Sequence, residues 1–255
     1  MKGTIIVKHK EVKPYKPVLV VGLPGIGYVG RLVALHLIKE HKAEKFATLY
    51  SDRFPYEVIM TKKGTVRIAN NRFYLIKRKR PESDIILLTG DVQATTSEGQ
   101  YEVNTKILEL FKSLGGTFIY TLGGYNSGAP VQNPKVFGSA TSLKVVEKFK
   151  ERGIIFGQTR GSIIGSAGLI IAFAKAEKID GMCLMGESSL LNVDAAAAKS
   201  VTKVLADNLN LDVDTSHLDA LIDKTAKALK EFEEKIKVGE GTEGIQPSGS
   251  PSYIR

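Results

Sequence analysis

Residues 18–39 constrain what this chain can fold into more than any other stretch. Val18-Leu19-Val20-Val21 is a short apolar run that reads as a strand buried on both faces. Gly22-Leu23-Pro24-Gly25-Ile26-Gly27-Tyr28 follows as a turn. Beyond it, Val29, Leu32, Val33, Leu35, Leu37 and Ile38 predict a helix that needs cover over most of its surface. Strand, glycine turn and helix make the opening unit of an α/β domain. Gly25-x-Gly27-x-x-Gly30 also fits the dinucleotide fingerprint, so the turn is either a phosphate cradle or a tight corner.

Two features favour the corner. A dinucleotide fingerprint starts at the strand end, whereas here Gly22-Leu23-Pro24 intervenes, and Pro24 removes a backbone N–H where a phosphate would want one. Asp52 stands near the place of a ribose-binding carboxylate, but the chain then turns to an antiparallel meander over 58–79, with turn signals at Lys62-Lys63-Gly64 and Asn70-Asn71. Gly22, Pro24, Gly25, Gly27 and Gly30 are therefore expected to form a structural turn.

Further strands are predicted at 4–8, 45–51, 84–91, 117–122, 136–140 and 181–186. Helices are predicted at 97–114, 142–152, within 161–178, and at 192–208. Gly115-Gly116 stops the first of these, and 123–130 reads as a long glycine-rich loop. The expected architecture is a three-layer α/β sandwich with a mixed, largely parallel sheet plus the meander. A capping-box-like start at Ser216 opens a helix over 216–237. Leu218, Ile222, Thr225, Leu229, Phe232 and Ile236 recur four and three apart on it, a seam that fits either its own domain or another subunit. Residues 1–237 are expected to form the α/β domain and 238–255 a flexible tail rich in Gly, Ser, Pro and Glu.

Composition excludes several classes. No apolar run approaches the ~20 residues of a membrane span, so no membrane partner is expected. A lone Cys183 rules out an intramolecular disulfide framework and reads as a buried thiol, which points to the cytoplasm. The net charge of +9 would suit nucleic acid, but its one dense cluster, Lys77-Arg78-Lys79-Arg80, lacks interleaved aromatic residues and reads as a solvated strand end. For catalysis, strand ends offer Asp91, Tyr125, Asn126 and Glu187, so an enzyme or nucleotide-binding protein would use a crevice around Gly25, Asp91 and Tyr125. None of His9, His36, His41 and His217 falls at a strand end, and one Cys without a His pair argues against a transition-metal site. No cofactor is expected. A ligand-sized pocket with convergent polar groups would favour the enzyme; a crevice filled by Tyr28 and apolar neighbours would not.

Val18-Leu19-Val20-Val21-Gly22-Leu23-Pro24-Gly25-Ile26-Gly27-Tyr28-Val29-Gly30, Leu87-Leu88-Thr89-Gly90-Asp91 and Thr121-Leu122-Gly123-Gly124-Tyr125 together resemble the archaeal form of the proteasome assembly chaperone family. The resemblance covers about residues 18–237. It implies a nucleoside-phosphorylase-like fold without that active site, no catalytic residues, a homo-oligomer such as a tetramer, and binding to proteasome α subunits. It also draws notice to the tail. In that family a C-terminal hydrophobic-Tyr-any motif enters pockets between α subunits. Here Tyr253 takes the apolar place and Ile254 the tyrosine place, with Arg255 last. An apolar anchor beside a terminal carboxylate is sound docking chemistry. Residues 238–255 reach at most ~60 Å extended and span ~23 Å as a coil, enough to bridge a docked body and a nearby pocket.

Overall fold

The computed structural model describes residues 2–128, 131–158, 161–188 and 193–224. The elements run β1 (Thr4–Lys8), β2 (Val18–Gly22), a 3-10 turn (Ile26–Tyr28), α1 (Val29–Glu40), β3 (Glu44–Ser51), β4 (Val58–Met60), β5 (Val66–Ile68), β6 (Asn71–Ile76) and β7 (Ile85–Gly90). They continue with α2 (Ser97–Ser113), β8 (Phe118–Asn126), β9 (Val136–Ala140), α3 (Leu143–Phe149), β10 (Ile155–Phe156), α4 (Ser166–Ala176), β11 (Asp180–Ser188) and α5 (Ala195–Leu209). A further helix runs over 216–224.

Nine strands form one sheet in the order β1-β3-β6-β7-β2-β8-β11-β9-β10. Its centre, β7-β2-β8-β11, is parallel, as expected of strands that read as continuous apolar runs. Toward β1, the pairs β6–β7, β3–β6 and β1–β3 are antiparallel, so the sheet is evenly mixed where a largely parallel one is predicted, and of the meander expected over 58–79 only β6 joins it. On the other side β9 is antiparallel to β11 and β10 parallel to β9. The short strands β4 and β5 stand apart as a two-stranded hairpin.

Alternation along the central strands sends side chains to two cores. Leu19, Val21, Ile86, Leu88, Ile119 and Cys183 meet α2 and α4 on one face. Val18, Val20, Ile85, Leu87, Leu122 and Leu184 meet α1, α3 and α5 on the other. That is the three-layer α/β sandwich the sequence predicts. Helix starts carry the expected caps: Thr96, Ser142 and Asp194 side chains accept the backbone N–H groups of Gly99, Val145 and Ala197. Gly115 follows α2 at φ +75°, the left-handed stop.

Several boundaries differ from expectation, among them α5, which starts at Ala195 where 192 is predicted. β8 does not end at Leu122. It continues through Gly123-Gly124-Tyr125-Asn126, because β11 pairs with it in register out to Ser188. A continuous parallel partner outweighs the weak strand preference of glycine. The predicted helix within 161–178 starts only at Ser166, after Gly165 at φ +82°. The helix over 142–152 is shortened to Leu143–Phe149. The helix near 216 is opened by Asp214 and Thr215 instead of Ser216: Asp214 accepts from the Ser216 N–H, and the Thr215 carbonyl accepts from Leu218 and Asp219. Within 216–224, Leu218 is buried and Asp219 pairs with Lys199 of α5, so the first turns pack on the chain's own domain. The remainder of the seam, and the tail with Tyr253, Ile254 and Arg255, lie outside the described residues.

The basic cluster has a structural use. Asp84 is fully buried and accepts from the backbone N–H groups of Tyr15 (2.8 Å) and Arg78 (3.0 Å). Lys77 Nζ reaches it at 2.9 Å and Arg80 at 3.4 Å, and Arg80 also stacks on the Tyr15 ring. Burial alone would raise the Asp84 pKa; the hydrogen bonds from Lys77, Arg78 and Tyr15 outweigh it and hold the carboxyl below its ordinary value. Arg78 turns to Glu82 and to the Asn210 carbonyl. The cluster is thus a clamp on Asp84 more than the solvated strand end expected of it.

Candidate functional site

Ligands of open α/β sheets collect beyond the carboxyl ends of parallel strands. Such a crevice is present, a cavity of about 610 Å³ beyond β2 and β8. Leu23, Pro24 and Gly25 form one wall, Leu122 and Tyr125 another, and Ile163 and Ser166 close it. Cavities of this size suit small ligands, so the chemistry of the lining matters.

The glycine turn packs on the chain itself. A Cβ on Gly22 would lie 2.1 Å from the Gly30 carbonyl oxygen, and one on Gly30 would lie 2.3 Å from the Leu122 carbonyl oxygen. These absences let α1 settle directly on β2 and β8. Gly27 has φ +59°, and its carbonyl accepts the Asp194 N–H at 2.9 Å, which ties the turn to the start of α5. Gly25 is extended and has open space at its Cβ position. The Tyr28 N–H donates to the Gly25 carbonyl, and the Val29 N–H donates to the Ile26 carbonyl. A bound phosphate would need such amides free.

Other polar groups around the cavity also satisfy one another. The Gln93 amide nitrogen donates to the Pro24 carbonyl at 2.6 Å, while its oxygen accepts from the Ser166 N–H at 2.9 Å. Gln100 donates to the Ala94 carbonyl at 2.7 Å and accepts from Asn104 at 3.1 Å. The amides therefore lace the loops after β2 and β7 to the first turns of α2 and α4.

Asp91 does not belong to the crevice. Arg67 grips it with two bonds, at 2.5 and 2.9 Å, Arg72 adds one at 3.1 Å, and the Asn70 N–H adds another. Arg31 stands 3.9 Å away. Burial pushes the Asp91 pKa up, but the Arg67 and Asn70 hydrogen bonds and the arginine charges prevail and hold it down. A carboxylate so held is a poor general base. The expected trio of Gly25, Asp91 and Tyr125 thus separates: Gly25 and Tyr125 line the cavity and Asp91 locks the hairpin to the sheet. Tyr125 packs at a tilt against Phe137, Asn126 accepts from the Gly128 N–H, and Glu187 accepts from the Lys135 N–H. The Asn126 bond is turn chemistry, and the Glu187 bond ties β11 to the segment that leads into β9. Tyr28 does not fill the crevice either; it stays half exposed beside Arg31.

His9 bonds Thr48, and His36 lies buried beside the His217 ring, away from the cavity. Cys183 is buried, and burial pushes its thiol up to about 11. Among the described residues there is no group of three or more His, Cys, Asp or Glu placed to hold a metal ion, and no helix long and apolar enough to cross a membrane. The hairpin Val58–Met60/Val66–Ile68 lies within the meander expected over 58–79 and turns at Lys62-Lys63-Gly64 as predicted; what the sequence did not show is that its apolar residues face solvent.

The PAC2 family profile matches residues 19–233. An uncharacterized protein of Methanocaldococcus jannaschii, MJ1210, is 38% identical over 231 residues, covering 90% of this chain and 87% of that protein. The crystal structure of Pyrococcus furiosus PbaB, described as an archaeal proteasome activator, superposes with a TM-score of 0.88 at 36% identity, over 91% of this chain and 100% of that one. P. furiosus PbaA, described as an archaeal homolog of proteasome-assembly chaperone, shares the fold with a TM-score of 0.78 at 22% identity, over 94% and 95% of the two chains.

Proposed function

The chain belongs to the PAC2 family, and from that premise we propose that it is a non-catalytic proteasome chaperone or activator of the cytoplasm. It self-associates and binds α subunits of the core particle, and its C-terminal tip docks in pockets between them. The observation that carries the reading is the likeness to PbaB, which extends over the whole of that chain. The crevice supports it as well, since its side-chain amides are spent on the backbone around them and the acid expected there is clamped elsewhere. The glycine turn is structural in this reading, and neither nucleotide nor nucleic acid is a partner.

In the tail, Tyr253 and Ile254 supply the apolar anchor and the carboxylate of Arg255 the charge, while 238–252 supply reach. Burying a tyrosine-sized side chain contributes roughly 2 kcal/mol, so Tyr253→Ala weakens a single tail roughly 30-fold. Several tails on one oligomer add avidity, so the test uses a monovalent format. Surface plasmon resonance compares wild type, Tyr253→Ala and a form with one glycine added after Arg255, against assembled core particles and free α subunits. The added glycine keeps every side chain and moves only the carboxylate. Weaker binding by both altered forms is expected. Equal binding by all three removes the tail from the interaction; no binding by any removes the proteasome reading.

A further inference from the structure

The hairpin is an amphipathic arm turned inside out. Val58 pairs with Ile68 and Met60 with Val66, so these four share one face. That face is open to solvent: Val58 is 59% exposed, Met60 75%, Val66 66% and Ile68 56%. Tyr56, in the bend just before β4, is fully exposed. The opposite face is the one tied down. Ile59 packs against the core, and Arg67 makes the two-pronged bond to Asp91. The arm is therefore held firmly with its apolar side outward, which costs free energy in water and calls for a cover.

The apolar surface continues beyond the arm. On the edge strand β1, Ile5 and Val7 are exposed, and they share an open hollow of about 510 Å³ with Tyr50, Arg67 and Ile68. With Tyr56, the exposed apolar side chains of arm and edge amount to on the order of 800 Å², about what each partner gives to a standard interface.

We propose that a second copy of this chain covers the arm, the two hairpins packing through a two-fold axis. Charge placement favours a copy over an unrelated protein. Exposed Glu57 sits at the base of each arm and exposed Lys62 and Lys63 at its tip, so two antiparallel arms bring tip lysines over a base glutamate at both ends. Such an interface is isologous and closes on itself, and the same lysines discourage open-ended strand addition at the β4 edge. The inference rests on the self-association proposed above and is independent of proteasome binding.

The test is the mass of the full-length protein by light scattering, wild type against Met60→Glu/Val66→Glu. Both side chains are exposed in the folded protomer, so thermal melting followed by circular dichroism should still show a cooperative fold. A drop to a smaller assembly is expected. A second arm uses Val58→Cys and Val66→Cys, each cross-linked by a short bismaleimide. Cys183, the only native cysteine, is buried and silent, so a dimer band reports the new thiol. If the double variant fails to fold, this arm decides alone, and absence of cross-linked dimer overturns the proposal. A wild type that is monomeric overturns self-association and this interface together. A wild-type oligomer whose mass is untouched by the double variant overturns the interface alone; if core-particle binding is lost at the same time, the arm docks a different protein.

Discussion

Gly22→Ala is the substitution that most sharply separates a packing role for the glycine turn from a ligand role. Gly22 ends β2 and lies outside the Gly25-x-Gly27-x-x-Gly30 pattern, so a phosphate cradle gives it nothing to do. The structure gives it a great deal. A methyl group there would sit 2.1 Å from the Gly30 carbonyl oxygen and 2.7 Å from the Ala34 Cβ, both on α1. The first is backbone and cannot swing aside. To restore ordinary contact α1 must retreat by roughly 1 Å, and Gly30 already rests on the Leu122 carbonyl. Overpacking of this kind costs roughly 3 kcal/mol at the upper end, and removing a strand glycine returns roughly 0.5–1 kcal/mol. The net is a loss of about 2 kcal/mol, or roughly 4–8 °C in melting temperature for a domain of this size. Gly25→Ala is the control: its Cβ meets nothing within 4 Å, and its backbone is extended at φ −169°. It should stay within about 0.5 kcal/mol of wild type. The assay is urea unfolding followed by circular dichroism, at one protomer concentration, because the self-association proposed above would couple to stability. A Gly22→Ala variant as stable as wild type, or a Gly25→Ala variant that loses as much, refutes the argument.

Asp84→Asn should cost about 3 kcal/mol in the same assay: its amide nitrogen must face the N–H of Tyr15 or Arg78, which leaves a buried donor without an acceptor, and the charge-assisted bonds from Lys77 and Arg80 are lost as well. Stability should also fall with acid in two steps, read as melting temperature against pH. Burial lowers the pKa of His36 and His41 below 6.5, so the unfolded chain binds their protons first and stability begins to fall as pH drops below about 6.5. Asp84 and Asp91 are held below 3.8, so their contribution is complete above that value and is lost as pH falls beneath it; a melting temperature that rises on going from pH 7 to pH 5 would contradict the histidine step. Leu229→Glu/Phe232→Glu on the predicted helix over 216–237 should lower the oligomer's mass in light scattering while the domain stays folded, and unfolding would assign the seam to the chain's own core.

What could be read in advance follows from the range of the interactions involved. The apolar runs of β2, β7, β8 and β11 and the glycine stop after α2 are local signals, and each marked its element. Long-range pairing was invisible. Gly123 and Gly124 read as loop residues because composition is local, yet Met185 and Gly186 hold them in the sheet from sixty-two residues away (185 − 123). Asp91 looked like a strand-end acid because its arginines, Arg67 and Arg72, belong to other strands and no periodicity announces an ion pair. Arg80 and Asp84 stand only four apart, yet the cluster reads as a solvated strand end because nothing local announces that Asp84 is buried.

Asp91 lies at the end of a parallel strand, the position where an α/β enzyme would place a catalytic group. In this chain that position holds down an arm. Its carboxylate takes Arg67 from β5 and Arg72 from β6, so the charge that could have served chemistry fixes Val58, Met60, Val66 and Ile68 outward instead. The crevice shows the matching change, since Gln93 and Gln100 fill their hydrogen bonds within the fold. A scaffold whose strand-end groups brace a protruding apolar hairpin is built to present surface. Loss of the Arg67–Asp91 bond should therefore disturb the proposed self-association before it disturbs the central sheet, read as a lower mass in light scattering with a melt that stays cooperative.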